Sequence, residues 1–174
     1  MPKARIVYAT DILPVNDIRA RVPRMQQSAA ASRLAARLEE ACPAAMARSR
    51  SHSRAIIAAA AGSMPGLILG IDVEWMAPNR PFDAIARMLL PSASLQMDMQ
   101  TFYRGWTFSE AYYKAFGDFP GEALLREAIA AGNDSRAVGL ADGTHVLLDR
   151  VAEDFRICLV WRHTGSEPEI IRVF

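Results

Sequence analysis

The sequence contains few of the features that define special classes of protein. It has two cysteines, Cys42 and Cys158, which lie far apart and form no C-x-x-C pattern. Isolated cysteines of this kind indicate buried, reduced thiols, and we therefore expect a cytoplasmic protein. The formal net charge is only +1. The composition thus gives no reason to expect a nucleic-acid partner.

A long uninterrupted apolar run is also missing. The longest apolar stretch, residues 55–71, is broken by Gly62, Pro65 and Gly66. It is therefore too interrupted to span a bilayer. The first residues contain no apolar core of the length that a signal peptide needs. We expect no membrane partner, and we expect the protein to be monomeric.

What the sequence does contain is typical of a packed globular protein. Hydrophobic residues make up 51% and charged residues 22%, which argues against disorder. Apolar spacing predicts helices over 28–41, 81–90, 101–117 and 122–132, the third of them with Gly117 as its C-cap. Strands are predicted over 4–9, 54–62, 66–75, 136–141, 145–149, 155–162 and 169–173. The segments 62–66 (GSMPG) and 141–144 (ADGT) are predicted to be hairpin connections.

This order of elements predicts an α+β fold of two similar lobes packed together. Each lobe would consist of a small antiparallel sheet packed against a long helix, and a pseudo-twofold axis would relate the two lobes. We place the N-terminal lobe at residues 1–75 and the C-terminal lobe at residues 76–174.

The segment GIDVEW, residues 70–75, places two acids on one side of a strand. Because side chains alternate along a strand, Asp72 and Glu74 face one way and Ile71, Val73 and Trp75 face the other. Two neighbouring carboxylates beside an apolar run would repel each other unless a cation neutralised them. Mg²⁺ takes such oxygen ligands and keeps positions for water and phosphate. The simpler alternative is a strand edge that faces solvent.

A second polar segment, RSRSHSRA, spans residues 48–55. Its centre is Ser51–Ser53, in which His52 lies between two serines, and Arg50 and Arg54 flank it. Hydroxyl, imidazole and guanidinium groups are the donors that a phosphate binds. The simpler alternative is a polar loop before a strand.

A third segment, residues 105–120, combines Glu110 and Lys114 with several aromatic residues. Positions four apart share one face of a helix, so this pair could be a surface salt bridge worth a few tenths of a kcal/mol. The alternative is that both side chains belong to a reaction centre. The order of the three segments favours the second interpretation.

Together the three segments resemble the 4′-phosphopantetheinyl transferase superfamily, in its longer, surfactin-type form with a shortened N-terminal lobe. The signature of that family is Ser-His-Ser, then Gly-[Ile/Val]-Asp-x-Glu, then Trp-[Ser/Thr]-x-Lys-Glu-[Ala/Ser]-x-x-Lys. This chain offers Ser51–Ser53, Gly70–Glu74 and Trp106–Lys114 in that order. The resemblance by motif covers about residues 48–120.

The resemblance implies an enzyme that moves the 4′-phosphopantetheine group from coenzyme A to a serine of an acyl or peptidyl carrier protein. It implies two similar lobes, an active site between them, and Mg²⁺ as cofactor. The metal ligands that it implies are Asp72, Glu74 and Glu110. The catalytic residues that it implies are Glu110, which would help deprotonate the serine, and Lys114, which would assist the leaving group. The residues that it implies for the phosphates of coenzyme A are Ser51, His52 and Lys114.

The chain departs from the family pattern in two places. The segment before Ser-His-Ser, usually Phe-Asn-Leu in the family, is residues 48–50 (RSR) here. Ser109 stands where the family has a lysine, so one basic contact to coenzyme A is missing. This departure leaves open a homologue that binds coenzyme A or a carrier protein without catalysis. A Mg²⁺-dependent nuclease fits less well, because it usually has a lysine where this chain has Met76. Further basic residues that could contact coenzyme A are suggested by charge alone: Arg19, Arg21, Arg24 and Arg33.

Overall fold

The structure, a computed structural model, describes residues 4–91, 97–131 and 135–173. This part of the chain forms a mixed α+β fold, as predicted from the sequence. The strands are β1 (Arg5–Ile12), β2 (Ala47–Ser53), β3 (Ile56–Gly62), β4 (Ile68–Trp75), β5 (Ala137–Gly139), β6 (His145–Ala152), β7 (Phe155–Arg162) and β8 (Glu169–Arg172). The helices are α1 (Arg24–Ala41), α2 (Phe82–Leu89), α3 (Met99–Phe116) and α4 (Glu122–Ala131).

The strands form two four-stranded sheets. The first has the order β2-β3-β1-β8 and the second the order β4-β7-β6-β5. Neighbouring strands run antiparallel, except that β8 runs parallel to β1. The first sheet is not formed by one continuous stretch of sequence. Strand β4 begins the second sheet, and the last described strand, β8, returns to the first. The lobe boundary after residue 75 and the pseudo-twofold relation of the lobes stay predictions.

A shared apolar core joins the two sheets. Side chains of the first sheet, such as Ile6 and Ile56, belong to the same buried cluster as Ile71, Ile157 and Trp161 of the second. Helix α1 covers the other side of the first sheet, and α3 and α4 cover the other side of the second. The two long helices thus lie outside the pair of sheets, one on each. Among the described residues, no helix is both long and apolar enough to cross a membrane.

The hairpin predicted at residues 62–66 is wrong. Strand β3 pairs with β1 on one edge and with β2 on the other, so no edge of β3 remains for β4. Strand β4 instead pairs with β7 in the second sheet. The strand that forms a hairpin with β3 is β2, whose sequence ARSRSHS is too polar to be predicted as a strand. By contrast, the segment 141–144 does join two paired strands, β5 and β6.

Candidate functional site

The site forms where β2 and β4, the edge strands of the two sheets, lie side by side. Two serine hydroxyls of β2 accept hydrogen bonds from backbone N–H groups of β4: Ser49 from Ile71 and Ser53 from Trp75, both at 3.0 Å. An edge strand otherwise leaves such groups unpaired. The alternating serines of β2 therefore join the sheets through side chains.

Helix α3 packs directly on the face of β4 that carries the acids. Gly70 makes this approach possible, because a Cβ atom at this position would lie 2.0 Å from the carbonyl oxygen of Ala111 and 2.9 Å from the backbone nitrogen of Ala115. Both are backbone atoms of α3 and cannot rotate away. The helix itself begins at the N-cap Asp98 and ends at Gly117, whose φ of 78° suits a glycine C-cap, as predicted.

The centre of the site is a contact among Lys114, Asp72 and Ser51. Lys114 Nζ lies 2.7 Å from Asp72 Oδ1 and 2.8 Å from Ser51 Oγ. The Ser51 hydroxyl donates to the same carboxylate oxygen at 2.8 Å. Lys114 thus reaches across to β4, and the ion pair found for it within the described residues is with Asp72 rather than with Glu110. The surface salt bridge considered from the sequence is not what this helix forms.

Asp72 is nearly enclosed, with 5% of its side chain exposed. Its second oxygen, Oδ2, is buried and has no hydrogen-bond partner among the described residues. Burial raises the pKa of Asp72, while Lys114 and the Ser51 hydroxyl act in the opposite direction. A buried carboxylate oxygen without a partner is costly, and a cation or a proton would satisfy it.

Glu74 follows two residues later on the same strand face. Its Oε1 accepts a hydrogen bond from the Trp106 indole at 3.2 Å. Its Oε2 lies 3.3 Å from the Arg80 guanidinium and accepts a weaker bond from Ser53 at 3.4 Å. Burial, followed by the charge of Asp72, raises the pKa of Glu74 to about 7. Trp106 and Arg80 hold the side chain in place without fully compensating its charge.

Glu110 completes an acidic group with the two strand carboxylates. Its side chain is half-buried on α3. Its pKa is raised by burial first and by the charge of Asp72 second. The charge of Glu110 in turn raises the pKa of Glu74. The three acids therefore act on one another electrostatically, and their protonation near neutral pH depends on which cations are present.

Basic and hydroxyl groups line the other side of the same cavity. The cavity has a volume of about 300 Å³. His52 Nε2 lies 3.2 Å from the Ser28 hydroxyl of α1, and its pKa is lowered by burial and then by the charge of Lys114. The residues that line the cavity are Arg24, Ser28, Arg50, Ser51, His52, Asp72, Glu74, Glu110 and Lys114.

All six residues singled out from the three motifs thus line one cavity, although they come from β2, β4 and α3. Arg80 and Ser28 could not be predicted from the sequence, because neither belongs to a motif. Of the four arginines suggested by charge, Arg24 lines the cavity, whereas Arg19 pairs with Asp154 instead. Trp106 was identified only as part of a motif, and the structure shows it in contact with Glu74.

Ser109 faces away from this cavity. Its side chain is fully buried, and its hydroxyl donates to the carbonyl oxygen of Gly105 at 2.8 Å. A lysine at this position would have to place its charge in the packed interior. The serine therefore fits the packing of this helix, and the cation that the family pattern expects has no open position here.

The acidic group suits a divalent cation in its chemistry, although its ligand atoms are not fully gathered. Three carboxylates and an unpartnered buried Asp72 oxygen form a donor set that Mg²⁺ accepts. Among the described residues, however, Asp72, Glu74 and Glu110 are not a trio whose ligand atoms all lie within 4.8 Å of one another. Water, or a rotation of Glu110, would have to complete the coordination.

Comparison of the chain with protein-family models and with curated proteins finds no match. The interpretation of the cavity depends on its residues and their geometry.

Proposed function

We propose that this protein transfers the 4′-phosphopantetheine group from coenzyme A to a serine hydroxyl of an acyl or peptidyl carrier protein. The observation that carries the proposal is the cavity itself, in which Lys114 lies between Asp72 and a set of phosphate-binding donors. The motif resemblance supports the same activity. Carboxylates for a metal and cations for a pyrophosphate are both needed for this reaction.

The cationic side of the cavity would bind coenzyme A. Arg24, Arg50 and His52, with the hydroxyls of Ser28 and Ser51, offer charged and neutral donors to phosphate oxygens. The lowered pKa of His52 means that it is mostly neutral at pH 7, so it would donate a hydrogen bond rather than a full charge. Arg24 and Arg50 would supply the positive charge.

The acidic side would activate the carrier serine. Glu110 has a raised pKa and is half-buried, which suits a general base that must take a proton near neutral pH. The serine oxygen would attack the β-phosphorus of coenzyme A as its proton moves to Glu110. The bond from that phosphorus to the oxygen of 3′,5′-ADP would break, and Lys114 would stabilise the charge on the departing phosphate.

Asp72, Glu74 and Glu110 would hold Mg²⁺, which when bound neutralises charge on the pyrophosphate. Trp106 and Arg80 would keep Glu74 oriented toward the metal. Lys114 would then exchange its contact with Asp72 for one with phosphate. The short Lys114–Asp72 pair thus describes the site before substrate binds.

The direct test is to incubate the protein with coenzyme A, Mg²⁺ and an apo acyl carrier protein, and to measure the intact mass of the carrier. Lys114→Ala and Glu110→Gln should each lower turnover by about 100-fold. Glu40→Gln, an exposed change on α1, is the matched control and should leave turnover unchanged. Isothermal titration with coenzyme A runs beside the mass assay.

The outcomes separate the alternatives. Binding of coenzyme A without transfer would favour the homologue that binds without catalysis. Transfer that survives in both Lys114→Ala and Glu110→Gln would contradict the assigned roles. If the unaltered protein neither binds coenzyme A nor transfers the phosphopantetheine group, the proposal is refuted.

A further inference from the structure

A group of potential metal ligands lies outside this cavity, where the segment that connects β7 to β8 passes the start of β6. His145 begins β6, His163 directly follows β7, and Glu167 lies in the segment between β7 and β8. One ligand atom from each of these residues lies within 4.8 Å of the other two. Among the described residues, this is the group of three potential metal ligands whose ligand atoms lie this close together. The function proposed above does not use it.

The distances within the trio suit coordination better than hydrogen bonding. Glu167 Oε1 lies 3.5 Å from His145 Nε2, and Glu167 Oε2 lies 3.5 Å from His163 Nε2. These separations are at the limit for a hydrogen bond. Two ligands of one tetrahedral zinc ion, each at about 2.0–2.1 Å, lie about 3.3 Å apart. Because the rings of His145 and His163 are stacked, with centroids 5.2 Å apart, the His163 ring would have to rotate for all three groups to surround one ion.

Burial supplies an independent reason to expect a ligand. Only 6% of the His163 side chain is exposed. Neither of its ring nitrogens has a hydrogen-bond partner among the described residues, and the same is true of His145 Nδ1. Buried polar nitrogens in native proteins are nearly always paired. A metal ion bound by His163 Nε2 would satisfy one of these three nitrogens.

We propose that His145, His163 and Glu167 bind Zn²⁺. Imidazole nitrogens favour zinc and its neighbours over Mg²⁺, which prefers oxygen ligands. Two histidines and one glutamate form a known type of zinc ligand set, with water in the fourth position. The His145 ring is held by stacking on Trp161, with ring centroids 5.4 Å apart. The second sheet therefore holds one histidine ligand in place. Glu167, whose side chain is 63% exposed, would supply the ligand on the solvent side.

The position of this site gives it a structural role. Residues 163–168 carry the chain from the second sheet to β8 in the first sheet. A zinc ion held by His145 and Glu167 would attach this connecting segment to the start of β6, an inner strand of the second sheet. Zinc should therefore raise the unfolding temperature of the whole protein.

The test is isothermal titration of the full chain with Zn²⁺ in excess Mg²⁺, which keeps the carboxylates of the other site occupied. We expect one Zn²⁺ per chain. The affinity should fall by about tenfold or more in Glu167→Gln and further in His163→Ala. Because Glu167 is exposed, its variant keeps the fold even if His163→Ala does not, and circular dichroism checks both.

Two control variants assign the ion to this site. Glu153→Gln, an exposed acid on the turn between β6 and β7, should bind zinc as the unaltered protein does. Asp72→Asn should also retain zinc, although it lowers transfer activity, so a failure of the proposed function is distinguishable from a failure here. If the unaltered protein binds no zinc, or if Glu167→Gln binds it equally well, the proposal is refuted.

Discussion

The buried carboxyl of Glu74 makes the stability of the metal-free protein depend on pH in a defined direction. Burial and the charge of Asp72 raise the pKa of Glu74 from its ordinary value of 4.5 to about 7. The folded state therefore holds this proton more tightly than the unfolded state does. Stability from this group is fully present below pH 4.5 and is lost as the pH rises through about 7.

The magnitude follows from the two pKa values. Each tenfold change in proton affinity corresponds to about 1.4 kcal/mol, so the difference costs the folded state about 3 kcal/mol above about pH 8. Glu74→Gln keeps the shape of the side chain and removes the ionisation. In EDTA at about pH 8.5, the variant should be more stable than the unaltered protein by about 1–3 kcal/mol. The expected gain in stability extends down to about 1 kcal/mol because the variant also loses the attraction between the Glu74 carboxylate and Arg80.

Urea denaturation followed by circular dichroism measures this effect. At about pH 5 the difference should fall below about 1 kcal/mol, because Glu74 is then mostly protonated in the folded state and only partly so in the unfolded state. Mg²⁺ at the higher pH should stabilise the unaltered protein and not the variant. Glu153→Gln is the control and should show no difference that depends on pH. If Glu74→Gln is less stable than the unaltered protein at about pH 8.5, the reasoning from burial is wrong.

Two further predictions test the packing of α3. Gly70→Ala should destabilise the protein by about 3 kcal/mol or more, since the new methyl group meets backbone atoms of α3. Urea denaturation measures this loss, and a stability equal to that of the unaltered protein would contradict the close packing. Ser109→Lys should destabilise strongly because it buries a charge, whereas Ser109→Ala should cost less than about 1 kcal/mol. If Ser109→Lys instead melts normally and binds coenzyme A more tightly, this position faces the cavity after all.

Local patterns in the sequence were sufficient to predict the faces of β4 and α3. The alternation in GIDVEW predicts that Ile71 and Val73 face away from Asp72. The structure has Ile71 and Val73 in the shared core and Asp72 against Lys114 of α3. Helix α3 ends at Gly117, also as predicted. The first feature depends on the alternation of side chains along a strand, and the second on one glycine in the left-handed conformation. Each can be read from a single short segment of sequence.

Features that depend on strand pairing could not be predicted in this way. Strand β2 contains arginines and serines, and its hydroxyls find partners only because β4 lies beside it. Strand β3 pairs on one edge with β1, which is distant in sequence, and on the other with β2, which is polar. The turn-rich segment after β3 gives no sign of either pairing. Likewise, Arg24 and Ser28 reach the cavity only because α1 packs on the first sheet.

The parallel pairing of β8 with β1 has a consequence for how the chain is synthesised and folds. Arg5 is paired with Glu169, so the first sheet joins two strands that lie far apart in the sequence and are synthesised at different times. Its fourth strand, β8, cannot add until the other seven described strands have been made. Until then β1 exposes an open edge, the kind of surface on which unfinished chains associate with one another. Contacts of such long sequence separation also slow folding, because a large loop must close before they form.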